Sequence, residues 1–189
     1  MQRIKKSPRL LSRWIPDLYV ASILDIDYEA LWNEGIRTLL FDNDNTILTY
    51  DTLEISPEAH RLFEWLKAKG FVIWIISNGK APRVKAITAD LKVHGIAKAG
   101  KPLTRGARCI LRKAGTAPSA CAIIGDQAFT DVWCGNEMGM TSIWVHPISL
   151  QIDEAITRVK RPLERILLAV LRIYPSTLEN AEEAPWKRF

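Results

Sequence analysis

The sequence predicts an α/β protein, a parallel sheet covered by helices on both faces. Three observations lead there. Short all-apolar runs alternate with capped amphipathic segments, the pattern of strands buried on both sides. Acids, a hydroxyl and one lysine collect just after those runs, where open parallel sheets bind ligands. The chain has 189 residues, enough for one sizeable core.

The elements follow in order. Thr38 to Phe41 is the first apolar run. Ser56-Pro57-Glu58 then supplies an N-cap, a proline at the first helical position and an acid in the first turn. That helix should run to about Lys69, bury Leu62, Phe63 and Leu66, and stop at Gly70. Phe71 to Ile76 is the second strand. A helix is expected near Pro82 to Leu91, a short strand near Gly95 to Ala99, and a helix over about Thr104 to Ala114. Ala120 to Ile124 reads as a strand, Phe129 to Met138 as helix, and Thr141 to Val145 as the last strand. Pro162 to Tyr174 reads as a helix whose Leu163, Ile166, Leu167, Val170, Leu171 and Tyr174 form one apolar face. The tail after Pro175, with Glu179, Glu182 and Glu183, is expected to be loose. The domain reading is a core over 38–150, an N-terminal extension packed on it over 1–37, and a C-terminal helical extension and tail over 151–189.

Composition sets bounds. Hydrophobic residues make up 48% and charged residues 25%, a globular balance. No apolar run approaches the roughly 20 residues of a membrane-spanning helix. The basic first residues lack the apolar stretch of about 7–15 residues that marks a secretory signal, so none is expected. Cys109, Cys121 and Cys134 are odd in number and widely spaced, which fits reduced thiols in a cytosolic protein. The net charge is +5 and unevenly spread. Arg3, Lys5, Lys6, Arg9 and Arg13 precede the first acid, and Arg158, Lys160, Arg161, Arg165 and Arg172 surround Glu164. Such basic flanks suit a phosphate-bearing partner, lipid or nucleic acid, or serve solubility alone.

The chemistry lies after the strands. Asp42 and Asp44 follow the first run, Ser77 and Asn78 the second, Lys101 the third, and Gly125, Asp126 and Asp131 the fourth. Each has a task in phosphoryl transfer. Carboxylates hold Mg2+ together with phosphate oxygens. One carboxylate attacks phosphorus. A second protonates the leaving oxygen and later takes a proton from water. A hydroxyl and a lysine neutralise the transferring group.

These residues carry a resemblance. Asp42-Asn43-Asp44-Asn45-Thr46, Ser77-Asn78, Lys101-Pro102, and Gly125-Asp126 through Thr130-Asp131 resemble, in order, the four motifs of the haloacid dehalogenase (HAD) superfamily. Their spacings are 35 (42 to 77), 24 (77 to 101) and 25 (101 to 126). The resemblance implies a three-layer, Rossmann-like core. It implies Asp42 as nucleophile and magnesium ligand, and Asp44 as general acid and base with its carbonyl on the metal. Thr46 braces the loop. Ser77 and the Asn78 amide hold phosphoryl oxygens, and Lys101 bridges nucleophile and phosphoryl group. Asp126 binds magnesium, and Asp131 orients a metal-bound water or the loop.

HAD enzymes often carry a cap over small substrates. Here about ten residues separate Thr46 from Ser56, and Lys101 follows the third strand almost at once. Neither gap holds a large cap, so the site should be open to a bulky or surface-borne substrate. Pro16-Asp17-Leu18-Tyr19-Val20, Ser22-Ile23, Asp25-Ile26-Asp27, Gly125-Asp126-Gln127 and Arg161 with Glu164-Arg165 resemble the capless IIIA-type branch. That branch includes phosphatidylglycerophosphate phosphatases. Asn43 stands where the branch usually has an apolar residue. The resemblance implies a Mg2+-dependent phosphatase acting through an aspartyl-phosphate on a lipid-borne phosphomonoester. It is expected in the cytoplasm, with anionic membrane contact through the basic flanks and through Leu10, Leu11, Trp14 and Ile15. A soluble nucleotide or sugar phosphate is the alternative substrate. An RNA- or ribosome-binding protein without turnover is the alternative of another class, and the intact acids and lysine count against nucleic acid as the partner.

Overall fold

The apolar runs become strands because their residues pack on both faces of one sheet. A computed structural model describes residues 4, 12–149, 162–169, 175 and 186. Among them are the strands β1 (Leu18–Val20), β2 (Thr38–Phe41), β3 (Val72–Ile76), β4 (His94–Ile96), β5 (Cys121–Gly125) and β6 (Thr141–Val145). All pair in parallel, in the order β1-β6-β5-β2-β3-β4. The helices are α1 (Tyr28–Asn33), α2 (Pro57–Lys69), α3 (Ala81–Leu91), α4 (Arg105–Ala114) and α5 (Trp133–Met138).

Strand alternation divides the core in two. Leu39 and Phe41 of β2 pack with Leu62, Phe63 and Leu66 of α2 and with Val84 and Ile87 of α3. Leu40, between them, packs on the other face with Ala107 and Ile110 of α4 and Cys134 of α5. Each fully buried Leu or Phe contributes about 1.5–3 kcal/mol. The result is a three-layer α/β fold, as expected. The signals for α2 act as read: Ser56 Oγ accepts from the Ala59 N–H at 3.2 Å, and Gly70 closes the helix at φ 102°, a left-handed conformation that favours glycine.

Four details differ from the sequence reading. Residues 18–20, expected within a packed extension, add β1 to the sheet beside β6. β4 ends at Ile96 rather than near Ala99, because Lys98 turns the chain at φ 50°. The Lys98 and Ala99 N–H groups then donate to Gly79 O and Ser77 O at 3.2 and 2.9 Å. β5 extends through Gly125. The helix expected over Phe129 to Met138 is a wide π-turn at Ala128–Val132 followed by α5.

The flanks also depart from expectation. Ile15 is buried, and Trp14 packs edge-on against Phe129 and Trp133 at 5.6 and 6.1 Å between centroids. Both belong to the fold, so neither is an exposed membrane anchor. Residues 162–169 are helical, and the part of the expected apolar face that they include is only partly covered. Leu167 is buried with Tyr19, Ala128, Val132 and Trp144, while Leu163 and Ile166 are exposed. The buried Glu164 sets this orientation by accepting from the Ala128 N–H at 2.7 Å. Trp186, from the tail expected to be loose, is buried against the main core. Residues 1–3, 5–11, 150–161, 170–174, 176–185 and 187–189 lie outside the described set. They include the flanking Arg3, Lys5, Lys6, Arg9, Arg158, Lys160, Arg161 and Arg172, and Leu10, Leu11, Val170, Leu171 and Tyr174. No helix among the described residues is long and apolar enough to cross a membrane.

Candidate active site

A parallel sheet delivers its strand ends to one edge, and the polar residues gather there. Asp42 is the first residue past β2, and its N–H still bonds Ile124 O at 2.8 Å. The chain then turns sharply. Asn43 O accepts from the Ile47 N–H at 2.9 Å. Asn45 adopts φ 58°, which asparagine tolerates better than most residues. Its Oδ1 accepts from the Ser149 N–H at 3.2 Å, and its carbonyl from the Ile148 N–H at 3.1 Å. The loop is thereby tied to the one after β6. Thr46 is buried inside the turn.

Lys101 is the cation of the site. Its Nζ donates to Asp42 Oδ1 at 2.8 Å and to Asp131 Oδ1 at 2.5 Å. Asn78 fixes the lysine's backbone from both sides: its Nδ2 donates to Lys101 O at 2.9 Å, and its Oδ1 accepts from the Lys101 N–H at 2.8 Å. The buried Asp126 completes a triad in which Asp42, Asp126 and Asp131 each bring an oxygen within 4.8 Å of the others. Burial would lower the lysine's pKa, but Asp131 and Asp42 beside it raise it above its ordinary value. Burial pushes the Asp42 carboxyl up to about 7, with Lys101 opposing and Asp131 adding to the rise. Even with a lysine in contact, the cluster is short of positive charge. Three close, buried carboxylate oxygens with that deficit fit a hard divalent cation.

Asp131 explains the shape of its loop. Its Oδ2 accepts from the Gln127 N–H at 3.2 Å and from Thr130 Oγ1 at 3.3 Å, while Oδ1 reaches Lys101. The wide turn aims the carboxylate inward, a local use typical of π-bulges. Gly125 has to be glycine, because a Cβ there would stand 2.3 Å from Asp131 Cγ.

Asp44 sits differently. Its carboxylate lies outside the triad and bonds Arg83 Nε at 2.7 Å through Oδ1 and Asn43 Nδ2 at 3.0 Å through Oδ2. Arg83 is itself clamped, donating to Thr52 O at 2.6 Å and Thr49 O at 2.8 Å. Asn43, which departs from the expected apolar residue, thus serves the acid beside it. Sequence reasoning missed Arg83. The available signal was a cation in the first turn of α3, where the helix dipole disfavours one. Ser77 is buried on the neighbouring loop after β3, its Oγ accepting from the Gly79 N–H at 2.9 Å.

Of the residues singled out in the sequence, Asp42, Lys101, Asp126 and Asp131 form one cluster. Ser77, Asn78 and Thr46 lie on the loops that frame it, and Asp44 stands at its edge. The arrangement offers a buried carboxylate for attack, a lysine and a cation site for charge neutralisation, and a second carboxylate for proton transfer. The connections 42–56 and 97–104 are too short for a cap.

Comparison with known proteins identifies the family. Residues 2–148 match the family described as mitochondrial PGP phosphatase. The chain is 33% identical over 159 residues to Probable phosphatase YqeG of Bacillus subtilis (strain 168), spanning 84% of this chain and 92% of that protein. It is 28% identical over 163 residues to Phosphatidylglycerophosphate phosphatase 1, chloroplastic/mitochondrial, of Arabidopsis thaliana, spanning 82% of this chain but 47% of that protein. Among solved structures, a HAD phosphatase from Thermococcus onnurineus is similar in fold, with TM-score 0.51 and 16% identity over 68% of this chain and 98% of that one.

Proposed function

Because the chain belongs to the mitochondrial PGP phosphatase family of HAD-type phosphatases, we propose that it converts phosphatidylglycerophosphate to phosphatidylglycerol through an aspartyl-phosphate on Asp42. Its substrate class is the phosphomonoester. The observation that carries the reading is the buried Asp42 in contact with Lys101 at the mouth of an uncapped sheet edge. An open mouth suits a headgroup held at a surface, which a closed cap would exclude. The plant relative's name supports the lipid, and applies to a protein about twice the length of the matched region.

In the proposed reaction an Asp42 oxygen attacks phosphorus and the bond from phosphorus to the leaving oxygen breaks. Asp44, positioned by Arg83 and Asn43, gives its proton to that oxygen, and phosphatidylglycerol leaves. Asp44 then takes a proton from water as the water oxygen attacks the aspartyl-phosphate. Inorganic phosphate departs and Asp42 is regenerated. Lys101, Ser77 and the Asn78 amide neutralise and position the phosphoryl oxygens, and Thr46 braces the loop. Asp42, Asp126 and the Asp44 carbonyl, with Asp131 orienting, are the proposed holders of Mg2+, which supplies charge neutralisation when bound. Residues 38–150 are the proposed catalytic unit, with 1–37 and 151–189 as extensions.

The test is phosphate release from phosphatidylglycerophosphate in detergent micelles, beside p-nitrophenyl phosphate. Fast release from the lipid that needs Mg2+ supports the reading. Release from the soluble ester alone leaves a phosphatase and removes the lipid.

A further inference from the structure

The chain exposes few large apolar side chains, and their distribution is one-sided. Seven are exposed among the described residues. One, Val72, begins β3 at the far edge of the sheet. The other six stand at the edge that holds the site. Tyr50 and Leu53 lie on the loop between β2 and α2, Leu103 follows Lys101 and is 74% exposed, and Ile148 follows β6. Leu163 and Ile166 belong to the helix at 162–169, which Glu164 pins to Ala128 just past β5. Three loops and one helix from different parts of the chain thus place exposed apolar residues at one edge of the sheet. Core packing does not explain them, since each is solvent-facing.

The same edge carries unpaired cations. Lys80 opens the loop into α3, Lys98 follows β4, Arg105 begins α4 and Arg165 sits between Leu163 and Ile166. All four are exposed, and none pairs with a carboxylate among the described residues. Among the described residues, the exposed acids of this edge, Asp51, Glu54 and Glu58, are confined to the loop between β2 and α2 and the first turn of α2, where Glu58 pairs with Arg61 at 3.0 Å. Protruding leucines and isoleucines among lysines and arginines are the chemistry of an interfacial membrane contact, with apolar tips entering the acyl boundary and cations meeting lipid phosphates.

We propose that this rim is a docking surface for an anionic lipid bilayer, which sets the mouth of the site directly on the headgroups. The inference rests on the lipid-borne substrate proposed above. Beside Leu163, Arg165 and Ile166 of the C-terminal flank, it draws on the loops after β2, β4 and β6 that frame the reaction, which the expectation of basic flanks did not include. A headgroup phosphate then reaches Asp42 with its acyl chains still in the bilayer.

The experiment is co-sedimentation of the full chain with phosphatidylcholine vesicles, with and without phosphatidylglycerol, across salt. Binding should require phosphatidylglycerol and weaken as salt rises. Leu103→Ser with Ile166→Ser, and Lys98→Glu with Arg105→Glu, should each lower the bound fraction about tenfold or more. Both pairs should keep wild-type hydrolysis of p-nitrophenyl phosphate, which shows that they fold. Lys92→Glu, at the end of α3 just before β4 and so at the opposite edge of the sheet, should stay within about twofold of wild type, because a membrane field fades within a Debye length.

Unchanged binding in the rim variants, equal loss in Lys92→Glu, or no vesicle binding at all would overturn the surface. So would preference for single-stranded RNA over vesicles at the same salt. Sedimentation without lipid that the rim variants abolish would assign the face to a second copy of the chain and overturn the bilayer. The micelle assay separates the two ideas. Turnover of the lipid in micelles beside a failed vesicle result removes the surface alone, and turnover of only the soluble ester removes the substrate reading beneath it.

Discussion

Asp42 remains short of positive charge even with Lys101 in contact, and its carboxyl is pushed up to about 7. A divalent ion and a proton therefore compete for the same oxygens. Mg2+ affinity, measured by calorimetry, should be level above pH 7 and fall about tenfold per unit below it. The sign follows from the raised value, since protonation removes the ligand and becomes easier as pH drops. A flat affinity from pH 5 to 8 would contradict it. Asp42→Asn should lower turnover by about a thousandfold or more while the circular dichroism spectrum stays native. Gly125→Ala would drive a Cβ into Asp131. It should cost about 1–3 kcal/mol in denaturant unfolding and weaken Mg2+ binding together with it.

At the scale of elements, Asp44 depends on α3. Arg83 holds its carboxylate while anchoring the loop at Thr49 and Thr52. Arg83→Met should lower kcat about 10- to 100-fold with KM little changed, since it loosens a proposed proton donor and leaves phosphate binding alone. An equal rise in KM would give Arg83 a substrate contact instead. The elements also show what a sequence conveys. β2 and α2 were legible because their signals are local: an apolar run, a capping serine, a stopping glycine. β1 was not, because it is three residues long and gains its place from β6, more than a hundred residues later. The wide turn at Ala128–Val132 was read as plain helix for a similar reason. Its shape answers to Lys101, which lies 30 residues away in sequence. The motif positions were all visible in the chain, whereas the clamp on Asp44 was not, because Arg83 lies 39 residues from it.

The whole molecule joins a rigid sheet to a one-sided rim, and the proposed ion should bind to the folded state alone. Saturation with Mg2+ at about 100 times its Kd should then stabilise the wild type by about 2.7 kcal/mol. The same addition should leave the melting temperature of Asp126→Asn nearly unchanged. The most direct measurement concerns the proposed bond between Asp42 and phosphorus. The enzyme is mixed with phosphatidylglycerophosphate in micelles, quenched in acid within a turnover, digested and read by tandem mass spectrometry. A phosphoryl group is expected on the peptide carrying Asp42, fragmenting at that residue and absent from Asp42→Asn. Phosphate release with Asp42 never modified, or release that persists in Asp42→Asn, would contradict it.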